Sequence, residues 1–128
     1  MSHSGEPLEW ESASWRESET APGVKYRTVK MTLARRAELT RKVGEALKRA
    51  QFHAASGELT ERLEAAALAA ESDRALLDWG LLEVTGLRID GEAATVRSLI
   101  EHGPEELCRE IAAWIRQECR LTDDERKN

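Results

Sequence analysis

Apolar residues recur at three- and four-residue spacing through the middle of the chain, from Leu59, Leu63, Ala66, Ala67 and Ala70 to Leu77, Leu81 and Val84. That period predicts an amphipathic helix from about Glu58 to Val84, with one face that another part of the fold must cover. Leu68, Leu76 and Leu82 widen the face, and Asp73 and Arg74 interrupt it. The pattern then breaks inside LLDWGLLEVTGLRIDGE, Leu76 to Glu92. Val84 and Thr85 are β-branched and Gly86 propagates a helix poorly, so the helix is expected to end there. Asp90-Gly91 is a two-residue turn signal, because Gly accepts a positive φ without penalty and Asp tolerates it. The chain is therefore expected to double back at this corner, with Trp79 anchoring the place where the helices meet.

The flanks supply what the long helix would pack against. Thr32 is suited to cap a first helix running to about Ala55, with Leu39, Val43, Ala46, Leu47 and Ala50 on one face. Ser56-Gly57 closes it, and so short a link makes helices 33 to 55 and 58 to 84 an antiparallel hairpin. After the corner, Thr95 caps a short helix through Ile100, and His102-Gly103 ends it. Pro104 then opens a terminal helix, PEELCREIAAWIRQECR. Glu105 and Glu106 sit at the end of that helix where its dipole favours negative charge, and Leu107, Cys108, Ile111, Trp114 and Ile115 form its buried face. VKYRTVK, Val24 to Lys30, alternates in the manner of a short strand and is expected to pair near Leu87 to Ile89. Residues 1 to 23 are rich in Ser, Glu, Pro and Gly and read as a disordered acidic arm, with Trp10 and Trp15 the exceptions. The expectation is thus an all-α fold over residues 24 to 128, a helical hairpin plus short and terminal helices around one core, with a small extended and β-turn segment.

Composition narrows the classes further. A chain of 128 residues is one domain's worth, and with one Phe and one Tyr its core must rest on aliphatic side chains and some of the four Trp. No window approaches the roughly 20 apolar residues of a membrane span, and the N-terminus lacks the basic start and apolar run of a signal peptide, so a cytoplasmic protein is expected. Cys108 and Cys119 are eleven residues apart on one predicted helix, roughly 16 Å, too far for a mutual disulfide. Reduced thiols are expected. Charge is segregated: the first 23 residues carry five Glu against Arg16, and residues 24 to 50 carry nine Lys or Arg against Glu38 and Glu45.

No constellation of catalytic chemistry emerges. His3, His53 and His102 have no second ligand at helical spacing, and no phosphate-cradling glycine loop is present, so neither a metal nor a cofactor is expected. Glu61, Glu64, Glu71 and Asp78 alternate with Arg62 and Arg74 as on a solvated face. A non-enzymatic role follows. The basic residues Arg35, Arg36, Arg41, Lys42, Lys48 and Arg49 could neutralise phosphates, which leaves a small regulatory or nucleic-acid-binding protein as the alternative. The acidic total of -5 argues against nucleic acid.

Several segments together resemble the tail assembly chaperones of long-tailed bacteriophages and prophages. They are the RTVKMTLARR lead-in, Trp79-Gly80, Gly86, Asp90-Gly91-Glu92, the segment ATVRSLIEHGPEELCREIAAWIRQECRL and the ending Lys127-Asn128. The likeness spans residues 24 to 128 and departs where the family often has Pro after the Asp-Gly turn and this chain has Ala93-Ala94. It implies a small helical, non-catalytic protein that binds the tape-measure protein, keeps it soluble and recruits tail tube subunits. The residues expected to bind a partner helix are Leu63, Ala67, Ala70, Leu77, Leu81, Leu107, Ile111 and Trp114. Self-association into a homo-oligomer is left open.

Overall fold

The structure is a computed structural model that describes residues 5–46, 48 and 59–121. It mixes helix and sheet, and so corrects the all-α expectation. Strands β1 (Ala13–Glu17), β2 (Lys25–Val29) and β3 (Leu81–Thr85) form an antiparallel sheet in the order β1-β2-β3. Helix α1 (Leu33–Lys42) follows β2, and the long helix α2 (Leu59–Gly80) leads directly into β3. A second, two-stranded sheet pairs β4 (Arg88–Ile89) with β5 (Glu92–Ala93), after which come α3 (Val96–His102) and α4 (Glu105–Glu118).

The correction has a specific cause at the end of α2. Leu81 and Val84 are both buried and three residues apart, which on a helix places them on one face. Here they lie on a strand. Tyr26 pairs with Val84 and Arg27 with Glu83, but Thr28 pairs with Leu81, so the register shifts between Arg27 and Thr28 and Leu82 is the extra residue. The bulge turns Leu82 and Glu83 outward together and returns Leu81 to the core face. Helix and bulged strand thus share the same spacing. Gly80 sits at the junction, where a β-carbon would lie 3.2 Å from Ile115 Cδ1 and 3.4 Å from Val29 Cγ2.

Two further expectations change with the sheet. Val24 to Lys30 contributes β2, but its partners are β1 and β3, not Leu87 to Ile89. The segment read as a disordered arm holds β1, which pairs with β2 in unbroken register from Ala13↔Val29 to Glu17↔Lys25. An alternating strand at β2 needs neighbours on both sides, and the Ser-rich sequence before it supplies one. The hairpin expected between helices 33 to 55 and 58 to 84 cannot be followed in full. α1 is capped by Thr32, whose side chain accepts from the Arg35 N–H, and Val43 closes it; Ser56-Gly57 lies outside the described residues.

Other local expectations match. Asp90 and Gly91 have φ of 52° and 85°, both left-handed, as a two-residue hairpin turn requires. Thr95 caps α3 through a reciprocal bond with Ser98, and Glu105 and Glu106 fill the first turn of α4. Cys108 and Cys119 are free thiols. The core lies between the sheet and the paired helices α2 and α4. Tyr26, Val84, Leu76, Leu77, Leu99, Leu107, Ile111 and Ile115 are buried there, and Leu39 and Val43 extend it beneath α1. Trp79 is half-buried at its edge, its indole N–H donating to Glu38 Oε1 at 3.3 Å and so tying α2 to α1. Among the described residues no helix is long and apolar enough to cross a membrane.

Candidate functional site

The eight residues expected to meet a partner helix divide between two environments. Leu77, Leu81, Leu107 and Ile111 are at most 4% exposed and belong to the protein's own core, so no partner reaches them in this fold. Trp114 is half-buried, with the Arg16 guanidinium stacked 4.0 Å from its ring centroid. Leu63, Ala67 and Ala70 are exposed on the first half of α2, Leu63 by 66%. The stripe is continuous in sequence, but only its second half is covered by the described parts of the chain.

Next to that exposed half runs a groove of about 450 Å³ between α2 and the α3–α4 corner. Ala66, Ala69, Ala70 and Leu77 form one wall, and Ile100, Gly103 and Cys108 the other. Small side chains on α2 leave the room: a wall of Leu at these positions would bring the helices into direct contact. Charged residues line the rim. Arg74 pairs with Glu101, Arg109 with Glu105 at 2.7 Å, and Arg116 with Asp73 at 2.7 Å while also donating to Ser72 Oγ at 2.8 Å. The rim charges are largely satisfied among themselves, so the groove offers an apolar floor rather than a set of unpaired ionic groups.

Cys108 is the reactive element nearest that floor. Its Sγ donates to the Leu99 carbonyl at 3.5 Å, and burial, followed by the charges of Asp73 and Glu105, raises its pKa above the usual thiol value. The thiol form is therefore favoured, and the thiolate that nucleophilic chemistry needs is suppressed. Among the described residues no three of His, Cys, Asp and Glu converge as metal ligands would.

The basic residues are likewise not one surface. Arg35 is turned inward, its Nη1 donating to the carbonyls of Ser12 at 2.6 Å and Lys30 at 2.8 Å, so it ties α1 to the ends of β1 and β2. Lys42 pairs with Glu38 one turn earlier at 3.7 Å. Arg36, Arg41 and Lys48 remain exposed, and Arg49 lies outside the described residues.

Sequence reasoning missed Glu110. This residue, mid-way along α4, accepts hydrogen bonds from the hydroxyls of Ser18 and Thr20, both at 2.7 Å, and from Tyr26 at 3.0 Å. The backbone N–H groups of Glu19 and Thr20 donate to it at 3.0 and 3.3 Å. One carboxylate therefore clasps the β1–β2 turn to the helix. Burial opposes its ionisation, but the bonds from Glu19, Thr20 and Ser18 outweigh it and bring the pKa from 4.5 to about 2. Tyr26 moves the other way, to about 12, because of burial, its bond to Glu110 and that neighbour's charge. The available signal was a Glu beside Ile111 on the apolar side of α4, together with a Ser-Glu-Thr turn before a strand. Neither is distinctive alone.

The chain matches no protein-family model, no curated protein and no solved structure.

Proposed function

We propose that the protein is a non-catalytic assembly chaperone of the phage-tail type, acting in the bacterial cytoplasm, which takes an apolar helix of the tape-measure protein along the first half of α2. The observation that carries the reading is the groove beside that half-helix, with Ala66, Ala69 and Ala70 on one wall and Ile100 and Cys108 on the other. Alanine walls let a partner helix approach closely, and exposed Leu63 extends the apolar path beyond the groove. Paired rim charges would keep such a complex soluble without imposing a strong ionic requirement. Tape-measure helices are long and amphipathic, and a chaperone for them needs an apolar track with polar borders, not a catalytic pocket. Recruitment of tail tube subunits belongs to the same proposal.

The test is co-expression with a tape-measure protein of a long-tailed phage. The expected result is a soluble complex that Ala70→Glu weakens at least about tenfold, since a buried unpaired carboxylate costs more than about 1.4 kcal/mol. A tape-measure protein that is equally soluble alone, or a complex indifferent to Ala70→Glu and Leu63→Glu, would overturn the proposal.

A further inference from the structure

The two borders of the apolar track on α2 differ in charge. Glu64, Glu71 and Asp78 are exposed and recur every seven residues, so they follow one another along the helix about 10.5 Å apart, drifting only about 20° per step. At about 100° per residue, this acidic line lies on one side of Leu63, Ala67 and Ala70, and the groove wall of Ala66, Ala69 and Asp73 lies on the other. On the groove side the charges are matched: Asp73 pairs with Arg116, and across the groove Glu105 pairs with Arg109. On the acidic side they are not. Arg74, three residues after Glu71 and four before Asp78, is turned to Glu101 on α3. Arg62, nine residues before Glu71, projects from the opposite side of the helix by its spacing. Among the described residues no ion pair includes Glu64, Glu71 or Asp78.

We propose that the helix taken up along α2 carries Lys or Arg seven residues apart on the one flank that meets Glu64 and Glu71, and neutral residues on the flank that meets the α3–α4 corner. This rests on the reading of the groove as a helix-binding site and names the chemistry of its occupant. The small side chains of Ala66, Ala67 and Ala70 let the two helix axes approach to about 8 Å, and at that separation a Lys or Arg beside the contact face reaches a carboxylate on the border of the facing helix. The seven-residue repeat then fixes which face of the occupant is accepted, because turning it over sets neutral residues against the acidic line. A second copy of the chain docked antiparallel through the same helix does not meet the requirement. A two-fold axis across such a pair returns each border to itself, so Glu64 and Glu71 would meet the same carboxylates of the second copy. The occupant is therefore a different helix, apolar on one face and basic along one edge of it.

Two fluorescently labelled helical peptides, each long enough for about five turns, test this against the full chain by anisotropy. Both carry one stripe of Ala and Leu, and they differ only at two flank positions seven residues apart, Lys in one and Glu in the other. The Lys peptide is expected to bind at least about tenfold more tightly at low salt, with the gap narrowing as salt rises to about 0.5 M. Glu64→Lys and Glu71→Lys together, both at exposed positions, are expected to reverse the preference. The site is reported by alkylation of Cys108, which lines the groove, while Cys119 is fully buried: the bound Lys peptide should slow it. Equal binding of the two peptides, or a preference that the double variant leaves in place, overturns the basic edge and leaves the groove as a helix site. No binding of either peptide up to about 1 mM, or binding that leaves Cys108 alkylation unchanged, overturns the groove reading and this proposal with it. Protection of Cys108 that grows with the chain's own concentration would make a second copy the occupant and overturn the proposal as well.

Discussion

Replacing Glu110 by Gln tests whether one carboxylate holds the N-terminal hairpin to α4. Gln keeps the size of the side chain and one acceptor oxygen, but it loses the charge and presents an NH2 group where Ser18, Thr20, Glu19 and Tyr26 all donate. The fall in pKa from 4.5 to about 2 corresponds, at about 1.36 kcal/mol per unit, to roughly 3 kcal/mol favouring the ionised form in the fold. The carboxylate is only partly buried, and solvent screening reduces this to about 1–2 kcal/mol. With a urea slope of about 1–3 kcal/mol per molar for a domain of this size, the midpoint should fall by roughly 0.3–2 M at neutral pH. The sign of the pH dependence follows from the depressed pKa. The stabilisation is complete above the unfolded value of 4.5 and is lost as pH falls through about 2, so wild type and Glu110→Gln should converge in that window. Urea titrations at neutral pH and at several acid values decide it. A neutral-pH difference below about 0.3 kcal/mol, or a larger difference that persists unchanged to pH 2, would refute the reasoning.

Three other outcomes follow from the same geometry. Tyr26 is the one tyrosine in the chain, so phenolate absorbance reports it alone, and it should titrate near 12. Its contribution is complete below the ordinary value of 10 and is lost as pH rises through about 12; a titration at 10 in the folded protein would contradict the bond to Glu110. Gly86→Ala should destabilise by at least about 2 kcal/mol in thermal or urea unfolding, because φ is +78° and a β-carbon would stand 2.2 Å from the Gly23 carbonyl oxygen. Ile111→Ala should cost about 2–5 kcal/mol and Leu63→Ala less than about 0.5 kcal/mol, since the first is fully buried and the second is 66% exposed; equal effects would mean that the long helix packs differently.

The contrast between those two side chains also measures how much of the molecule could be read from its sequence. Each lies on the apolar face of a different helix by spacing alone, because a period reports which residues share a face and not what lies against it. Capping and turn signals depend on two or three neighbouring residues, and for that reason Thr95, Pro104 and Asp90-Gly91 were legible. The sheet was not, because its evidence is spread over three separate segments. β1 lies in a Ser- and Glu-rich stretch whose composition suggests disorder, and its stability comes from β2 and from Glu110, far away in sequence. β3 was hidden differently. A bulge at Arg27/Thr28 gave Leu81 and Val84 the three-residue spacing of a helix, so local pattern and tertiary pairing made opposite statements about the same five residues. Pairing prevails there because β2 has an inner edge to fill, and because Gly80 lets Ile115 and Val29 close around the point where helix becomes strand. The corner on which the sequence reading turned is therefore earlier than Gly86: the chain changes structure at Gly80–Leu81, and the Asp90-Gly91 turn joins β4 to β5 in the separate two-stranded sheet.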